Sequence, residues 1–278
     1  MSLSDDEKII WTLWFQGEAA APEIVTRCIN TWREKNPDFK LVFLSEGNIF
    51  DYIDRSEFNC MKFDDLAYPP RSDLLRLYLL SRFGGVWVDP TSICVLPLSS
   101  WLNLDGAKFF AFENPGHDRP IANWFMASKK GGYIAVEFYK AFKSYWSGKE
   151  LYSLVNDGSW LNRYGSHPAL QWIWFSLLGR LFRVYPYFIN HYHFERLLKK
   201  DMVFSSYWKQ RKKISAKPSN TPASQGMAEP ISAALKAMIL AECPPVLKMS
   251  WKGVDSSVIS DSETVAGYVL SKLAGEAE

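Results

Sequence analysis

Apolar positions in the first third of the chain switch between short continuous runs and helical spacing. Continuous runs over 9–14, 40–44 and 86–88 predict buried strands, and apolar residues three and four apart over 22–36 and 71–83 predict helices between them. Strands that alternate with helices in this order form parallel sheets covered by helices. The pattern therefore predicts the α/β class with a mostly parallel central sheet.

Further elements follow along the rest of the chain, with loops expected at 114–120 and, over the site, at 156–167. The other predicted elements are a short helix over 48–54, strands over 93–98, 107–113, 122–128 and 246–251, and helices over 133–146, 168–182, 188–200 and 262–273, the last capped by Asp261 or Ser262.

Residues 205–230 have no hydrophobic period. Basic residues come first and are followed by Pro, Ser, Asn, Thr and Gly, a composition typical of a mobile loop. Long loops in compact domains are often functional, so this segment is either a solvated excursion or a lid or basic surface on the acceptor side.

Composition and charge exclude several classes of protein. The formal net charge of +2 does not indicate nucleic-acid binding. The four Cys are scattered, which favours reduced and mostly buried thiols, and the four His lack zinc-site spacing. The polar, acidic first ten residues do not resemble a signal peptide, and no apolar run reaches the roughly 18 residues of a membrane span. We expect a cytoplasmic protein, with peripheral association at the inner face of the membrane left open.

The strand over 86–88 ends in a carboxylate, Asp89. Pro90 follows and cannot donate a ladder hydrogen bond, so regular pairing should stop there. Ligands of open α/β sheets bind at the carboxyl ends of strands. Asp89 is therefore either a ligand-binding residue or an ordinary turn aspartate.

Asp73 and Arg76 are three residues apart, so they share a helix face that is otherwise apolar. Buried charges need partners. The two residues either form a salt bridge or bind a sugar nucleotide, whose hydroxyl would suit Asp73 and whose negative charge would suit Arg76.

The order of these residues resembles a known site. Ser-Asp-hydrophobic-hydrophobic-Arg from Ser72 to Arg76, then Gly84-Gly85, then hydrophobic-x-hydrophobic-Asp ending at Asp89, is similar to the DXD-type sugar-nucleotide site of GT-A glycosyltransferases. The likeness is to capsular polysaccharide synthesis proteins and to the related mannosyltransferase-like sugar transferases of glycosyltransferase family 32. Large clostridial glucosylating toxins carry a similar segment.

This resemblance covers about residues 9–128 and thins over 150–240. It implies a retaining hexosyltransferase of GT-A fold, with a nucleotide-diphosphate sugar as donor and a glycan or surface polysaccharide, such as a capsule, as acceptor. The expected organisation is one domain over 1–278. Its parts are a donor-binding core over about 9–128, a helical acceptor-side region over about 132–245 and a closing segment over 246–278.

The resemblance also implies roles for individual residues. Asp89, Asp73 and Arg76 are expected to be catalytic, and Asp73 and Arg76 to bind the donor sugar and its phosphate. Asp89 and Thr91 are expected to hold a divalent metal, Mn²⁺ or Mg²⁺. Thr91 stands where the family has a second acidic residue, which weakens the expected metal site.

Other donor contacts are implied in three places. They come from Trp14, Gln16 and Gly17 after the first strand, from Asn123, and from Lys248, Ser250 and Trp251 near the C-terminus. A glycine permits close approach of a ligand to the backbone, an aromatic ring can stack on a base, and Lys with Ser suits a diphosphate. Each segment also fits an ordinary strand end. His117 and Asp118 could contact the acceptor.

Two rival functions remain open. Asp73 and Asp89 could be the carboxylate pair of a glycosidase, although Arg76 beside Asp73 predicts an ionised carboxylate rather than an acid of raised pKa. Alternatively, a protein with Thr91 in place of the second acid could bind a sugar nucleotide without catalysis.

Overall fold

The computed structural model describes residues 8–116, 119–148, 153–155, 177 and 179–274. The strands in this part of the chain are β1 (Ile9–Leu13), β2 (Lys40–Leu44), β3 (Gly85–Val88), β4 (Ser92–Cys94), β5 (Phe109–Gly116), β6 (Arg119–Ser128), β7 (Ser153–Val155), β8 (Val184–Pro186) and β9 (Val246–Lys248). The α-helices are α1 (Glu23–Lys35), α2 (Ile49–Tyr52), α3 (Tyr68–Arg82), α4 (Leu98–Trp101), α5 (Tyr133–Trp146), α6 (Gly179–Phe182), α7 (Ile189–Lys200), α8 (Met202–Gln210), α9 (Ala216–Ser219), α10 (Thr221–Gln225), α11 (Ala233–Leu240), α12 (Ser256–Ser260) and α13 (Val265–Leu273).

The central sheet has the strand order β2-β1-β3-β6-β5. Strand β1 pairs in parallel with β2 and β3, whereas β6 pairs antiparallel with both β3 and β5. Within the described residues, four of the five strands therefore run in one direction and β6 runs against them. The predicted α/β class with a mostly parallel central sheet is confirmed.

The helix α3 is buried on nearly all sides, and this explains its mixed sequence. It packs against β3, β6 and α5, and it encloses both apolar residues and the charged Asp73 and Arg76. Gly84 and Gly85 then turn the chain into β3 with φ of +73° and +91°. A Cβ on Gly84 would lie 2.5 Å from the backbone nitrogen of Lys130, so only glycine fits this turn.

A second, small sheet positions the C-terminal segment. Strand β9 pairs antiparallel with β4, and Lys248 lies opposite Ser92. The backbone N–H of Met249 donates to the carbonyl of Thr91 at 2.8 Å. These bonds hold residues 246–249 beside the turn that follows β3.

The prediction of a mobile loop over 205–230 is wrong. Helices α8, α9 and α10 occupy much of it, and Phe204 and Trp208 of α8 are buried against the ring of Phe194. Asp201 and Ser215 accept backbone N–H bonds at the starts of α8 and α9. Apolar packing and caps therefore order a segment whose composition is loop-like.

Other differences are smaller. The expected loop over 114–120 is instead the paired end of β5 and the start of β6, while His117 and Asp118 lie outside the described residues. The C-terminal helix is capped by Thr264, not by Asp261 or Ser262. Helices α11 and α12 were not predicted.

Two further predictions fall mostly on undescribed positions. These are the loop over 156–167 and the helix over 168–182, of which only residue 177 and α6 are described. The division of one domain into donor, acceptor and closing parts stays a prediction.

All four cysteines are free. Cys28 and Cys94 are buried, whereas Cys60 and Cys243 are exposed, so the prediction of mostly buried thiols is right for only two of them. Among the helices in the described ranges, none is both long and apolar enough to cross a bilayer.

Candidate functional site

A cavity of about 880 Å³ opens at the carboxyl ends of β1 and β3. Parallel strands end at the same edge of a sheet, which is where α/β folds bind ligands. The predicted site residues on its wall are Trp14, Gln16, Asp73, Arg76, Asp89, Asn123, Lys248 and Trp251. Among the described residues, the cavity lining does not include three other predicted site residues, Gly17, Thr91 and Ser250. Each of them is next in sequence to a residue that lines the cavity.

Asp89 is held between two cations. One carboxylate oxygen, Oδ1, accepts from the indole of Trp87 at 3.1 Å and lies 3.4 Å from Nη2 of Arg76. The other oxygen, Oδ2, lies 3.3 Å from Nζ of Lys248. Burial alone would raise the pKa of Asp89, but Lys248 and Arg76 outweigh it, so the net shift is downward and the carboxylate is ionised at neutral pH.

Arg76 joins three elements around the cavity. Its guanidinium lies 3.3 Å from Asp73 of the same helix and contacts Asp89 after β3. It also donates to the carbonyl of Asn123 in β6 at 2.5 Å and lies over the ring of Trp87. Its side chain is only 7% exposed. One arginine therefore compensates the buried Asp73 and the half-buried Asp89, and it fixes the spacing of α3, β3 and β6.

Asp73 differs from its expected state. Burial raises its pKa, and this effect exceeds the opposing influences of Arg76 and of the Asn123 amide, which donates to Oδ1 at 3.3 Å. The expectation that Arg76 would keep the pKa of Asp73 from rising is therefore wrong. The reason is that burial disfavours the charged form of Asp73 more than Arg76 favours it, and the nearby charge of Asp89 also raises the pKa.

The segment after β9 closes one wall of the cavity. Lys248 donates to the hydroxyl of Thr91 at 2.6 Å as well as contacting Asp89. The ring of Trp251 lies edge-on to Trp14 with centroids 5.5 Å apart. The Ser250 hydroxyl accepts from the backbone of Lys252. Trp14 is thus paired with a residue far away in sequence, and the loop after β1 meets the closing segment.

The oxygens expected to bind a divalent metal are those that Lys248 contacts. Asp89 and Thr91 supply one carboxylate, and no group of three or more His, Cys, Asp or Glu able to hold a metal occurs among the described residues. A divalent ion about 4 Å from an ammonium would be repelled by about 8 kcal/mol at an effective dielectric constant near 20. With Lys248 in this position, the donor set does not fit a divalent ion.

One wall of the cavity was missed by sequence reasoning. It is lined by Tyr187 and Phe188 just before α7, by His191 in the first turn of α7 and by Arg119 at the start of β6. The guanidinium of Arg119 stacks over the Phe188 ring at 4.2 Å. The sequence signal here was weak: His191 and His193 form a close pair without zinc-site spacing.

His191 is a neutral polar group of this wall. It is 5% exposed, and burial, followed by the charges of Arg119 and Arg76, lowers its pKa to about 3. The ring can exchange hydrogen bonds with a ligand at neutral pH without adding charge.

The arrangement suits an anionic ligand that carries hydroxyl groups. Among the described residues that line the cavity, three are basic (Arg76, Arg119 and Lys248), two are acidic (Asp73 and Asp89), and His191 is neutral. Even with both acids ionised, the basic residues exceed the acidic ones by one. Phosphate oxygens can accept from the cations, while Asp73 and Asn123 offer partners to hydroxyls.

Comparison with known proteins gives a match to one family model and to curated glycosyltransferases. The family model described as "Capsular polysaccharide synthesis protein" matches residues 2–153. O-glycosyltransferase braB of Annulohypoxylon truncatum is 28% identical over 162 residues, which are 51% of this chain and 38% of that protein. Glycosyltransferase afumC of Aspergillus fumigatus is 24% identical over 168 residues, which are 51% of this chain and 41% of that protein.

The match therefore spans about two fifths of the length of these curated relatives. Among solved structures, the PaToxG glycosyltransferase superposes with a TM-score of 0.42 at 15% identity, covering 97% of this chain and 86% of that one.

Proposed function

The chain belongs to the family of capsular polysaccharide synthesis proteins, and we propose that it is a GT-A glycosyltransferase. It moves a sugar from a nucleoside-diphosphate sugar to a hydroxyl of a glycan or polysaccharide acceptor. The names of the two curated relatives, both glycosyltransferases, support this proposal. A role in surface polysaccharide synthesis follows from the family description and belongs to the same proposal.

The observation that carries the proposal is the charge cluster at the cavity. Arg76 and Lys248 converge on Asp89 from opposite carboxylate oxygens, at 3.4 and 3.3 Å, at the end of a central strand. Cations held in this way are oriented before a ligand arrives, so binding a diphosphate requires little rearrangement. An isolated salt bridge would not require a second cation or a surrounding cavity.

The same residues suggest how transfer would proceed. The bond between C1 of the sugar and the β-phosphate oxygen breaks, and its electron pair remains on the diphosphate, beside Lys248 and Arg76. Asp73 and Asn123 orient the sugar through its hydroxyls. The acceptor oxygen forms the new bond to C1 and loses its proton to the departing diphosphate.

Retention of configuration is part of the proposal. An inverting transferase needs a base on the acceptor side. The pKa of Asp89 is lowered and that of His191 is about 3, so both are weak bases at neutral pH. The acidic group with a raised pKa, Asp73, is bonded to Asn123 and Arg76. Among the described residues of the cavity, these states favour a front-face reaction in which the leaving diphosphate takes the proton.

The test is a thermal-shift screen with nucleoside diphosphates and their sugar conjugates, followed by measurement of diphosphate release. A ligand present at about 100 times its Kd adds about 2.7 kcal/mol to the free energy of unfolding, which raises the melting temperature. We expect one nucleotide class to give a shift. We expect Asp73→Asn to reduce the additional shift given by the attached sugar while preserving the shift given by the diphosphate alone.

The control is Asp105→Asn, since the Asp105 side chain is 80% exposed and is not among the described residues that line the cavity. It should leave both shifts unchanged. Cleavage of an aryl glycoside without any response to nucleotides would instead favour a glycosidase. Nucleotide binding without release of diphosphate in the presence of diverse acceptors would favour a non-catalytic binding protein. The cytoplasmic location stays a prediction.

A further inference from the structure

Lys248 occupies the place that the family resemblance gives to a metal ion. Its ammonium lies 2.6 Å from the Thr91 hydroxyl and 3.3 Å from Asp89 Oδ2, the two side chains expected to be metal ligands. Its side chain is 19% exposed and that of Asp89 is 23% exposed. The ammonium is therefore partly enclosed and still reaches the cavity that it lines.

The backbone fixes this placement. Lys248 ends β9 opposite Ser92 of β4, and the next residue, Met249, donates its N–H to the carbonyl of Thr91. The side chains of Leu247 and Met249, on either side of it in sequence, are buried in the apolar cluster beneath. Because adjacent side chains of a strand point to opposite faces, burial of these two directs Lys248 to the other face.

The loss of the second acidic residue and the presence of Lys248 fit together electrostatically. An aspartate at position 91 would give a second carboxylate beside Asp89, and a divalent ion would balance the two. Threonine leaves Asp89 as the one carboxylate there, and Lys248 and Arg76 already neutralise it. The Thr91 oxygen still accepts a hydrogen bond from Lys248, so it orients the ammonium instead of binding a metal.

We propose that Lys248 replaces the divalent metal of related sugar transferases, so that this chain binds and activates a nucleoside-diphosphate sugar without a metal ion. This inference rests on the proposed function. As the C1–O bond breaks, the negative charge that develops on the β-phosphate is taken up by the ammonium of Lys248 and the guanidinium of Arg76. No metal is required for charge balance, because the diphosphate leaves with the bonding pair and accepts the acceptor's proton.

Calorimetric titration tests this directly. UDP, GDP, CDP and their common sugar conjugates are titrated into the full chain, once after treatment with EDTA and once with Mn²⁺. We expect the ligand that binds to do so with the same affinity in both conditions. Lys248→Met should weaken its binding about 10- to 100-fold, the effect of losing a charge-assisted hydrogen bond.

Two variants make the comparison specific. Lys252→Met removes an exposed lysine of the same segment and should leave binding unchanged. Lys248→Arg keeps the positive charge and should retain more affinity than Lys248→Met.

A Mn²⁺ titration followed by electron paramagnetic resonance should detect no tight site in the wild-type chain. The double variant Thr91→Asp, Lys248→Ala should gain one, because it replaces the ammonium by a second carboxylate.

The outcomes separate this inference from the function on which it rests. Binding that requires Mn²⁺ and is insensitive to Lys248→Met would overturn the metal-free proposal and leave the transferase proposal standing. Absence of binding by every nucleoside diphosphate and sugar nucleotide in both conditions would overturn both.

Discussion

Replacing Arg76 with methionine should destabilise the folded chain more than any other single charge removal at the cavity. The guanidinium lies 3.3 Å from Asp73 and 3.4 Å from Asp89, donates to the carbonyl of Asn123 and to the hydroxyl of Ser72, and is 7% exposed. Methionine fills a similar volume but leaves the two carboxylates without this shared cation.

The magnitude follows from this burial. An exposed ion pair contributes about 0–1 kcal/mol, whereas removal of one partner of a buried pair costs about 3–5 kcal/mol because a charge is left uncompensated. We expect Arg76→Met to fall in the second range. That loss is a large part of the roughly 5–15 kcal/mol by which domains are stable.

The pH dependence distinguishes this cause from a packing defect. Burial already raises the pKa of Asp73 in the folded chain, and loss of Arg76 should raise it further. An acid whose pKa is higher in the folded state than in the unfolded state binds more protons when folded, so lower pH favours folding. The deficit of Arg76→Met should therefore shrink as the pH falls towards the ordinary aspartate pKa near 3.9.

Urea denaturation at a series of pH values measures these free energies of unfolding. The exposed Arg82 at the end of the same helix provides the control, and Arg82→Met should change stability by less than about 0.5 kcal/mol. Adding Asp73→Asn to Arg76→Met should recover part of the loss, since it removes the stranded charge. A deficit that is constant with pH and unchanged by Asp73→Asn would refute the reasoning.

Two further predictions concern backbone and protonation. Gly131 has a φ of +66° and open space around an added Cβ, so Gly131→Ala should lower the free energy of unfolding by about 1–2 kcal/mol. Gly84→Ala should lower it clearly more, because its Cβ would meet backbone at 2.5 Å. Equal losses in urea denaturation would contradict this. His191 should stay neutral by NMR well below pH 6.5, since its folded pKa is about 3. The contribution of neutral His191 to the free energy of unfolding is complete above about pH 6.5 and is lost as the pH falls towards 3. In His191→Gln the free energy of unfolding should therefore depend less on pH between these values. Titration of His191 near its ordinary pKa would contradict the assignment.

Local pattern was enough to predict elements whose burial is visible in their own sequence. The strand over 40–44 and the helix over 133–146 have the predicted bounds because their apolar spacing is uninterrupted. The helix α8 was missed because the basic and polar residues from Lys209 onward decided the prediction for all of 205–230, although Phe204 and Trp208 are four residues apart. What buries them is Phe194 of α7, a contact that sequence spacing does not display.

The start of the last helix shows a similar limit. Asp261, Ser262 and Thr264 are all good caps, so propensity does not choose among them. The choice falls on Thr264 because Glu263 and Val265, on either side of it, hydrogen-bond to the backbone of the 229–231 segment, which fixes where the helix begins.

The candidate site divides in the same way. Asp73, Arg76 and Asp89 were expected to meet because a helix face and a strand end are readable from local pattern, and the structure brings them onto one cavity. The position of His191 depends on how α7 packs against β6, which no local pattern encodes. The rise in the pKa of Asp73 was likewise invisible, because it depends on how deeply the folded chain buries that carboxylate and on the nearby charge of Asp89.

The most direct test of the central claim is release of nucleoside diphosphate from the sugar nucleotide that binds, compared in wild type, Asp89→Asn and the exposed control Asp105→Asn. We expect wild type and Asp105→Asn to release the diphosphate. In a folded Asp89→Asn chain, which no longer holds Lys248 and Arg76 in place, the rate of release should fall at least about 100-fold, or roughly 2.7 kcal/mol of transition-state stabilisation. Undiminished release by a folded Asp89→Asn chain would contradict it.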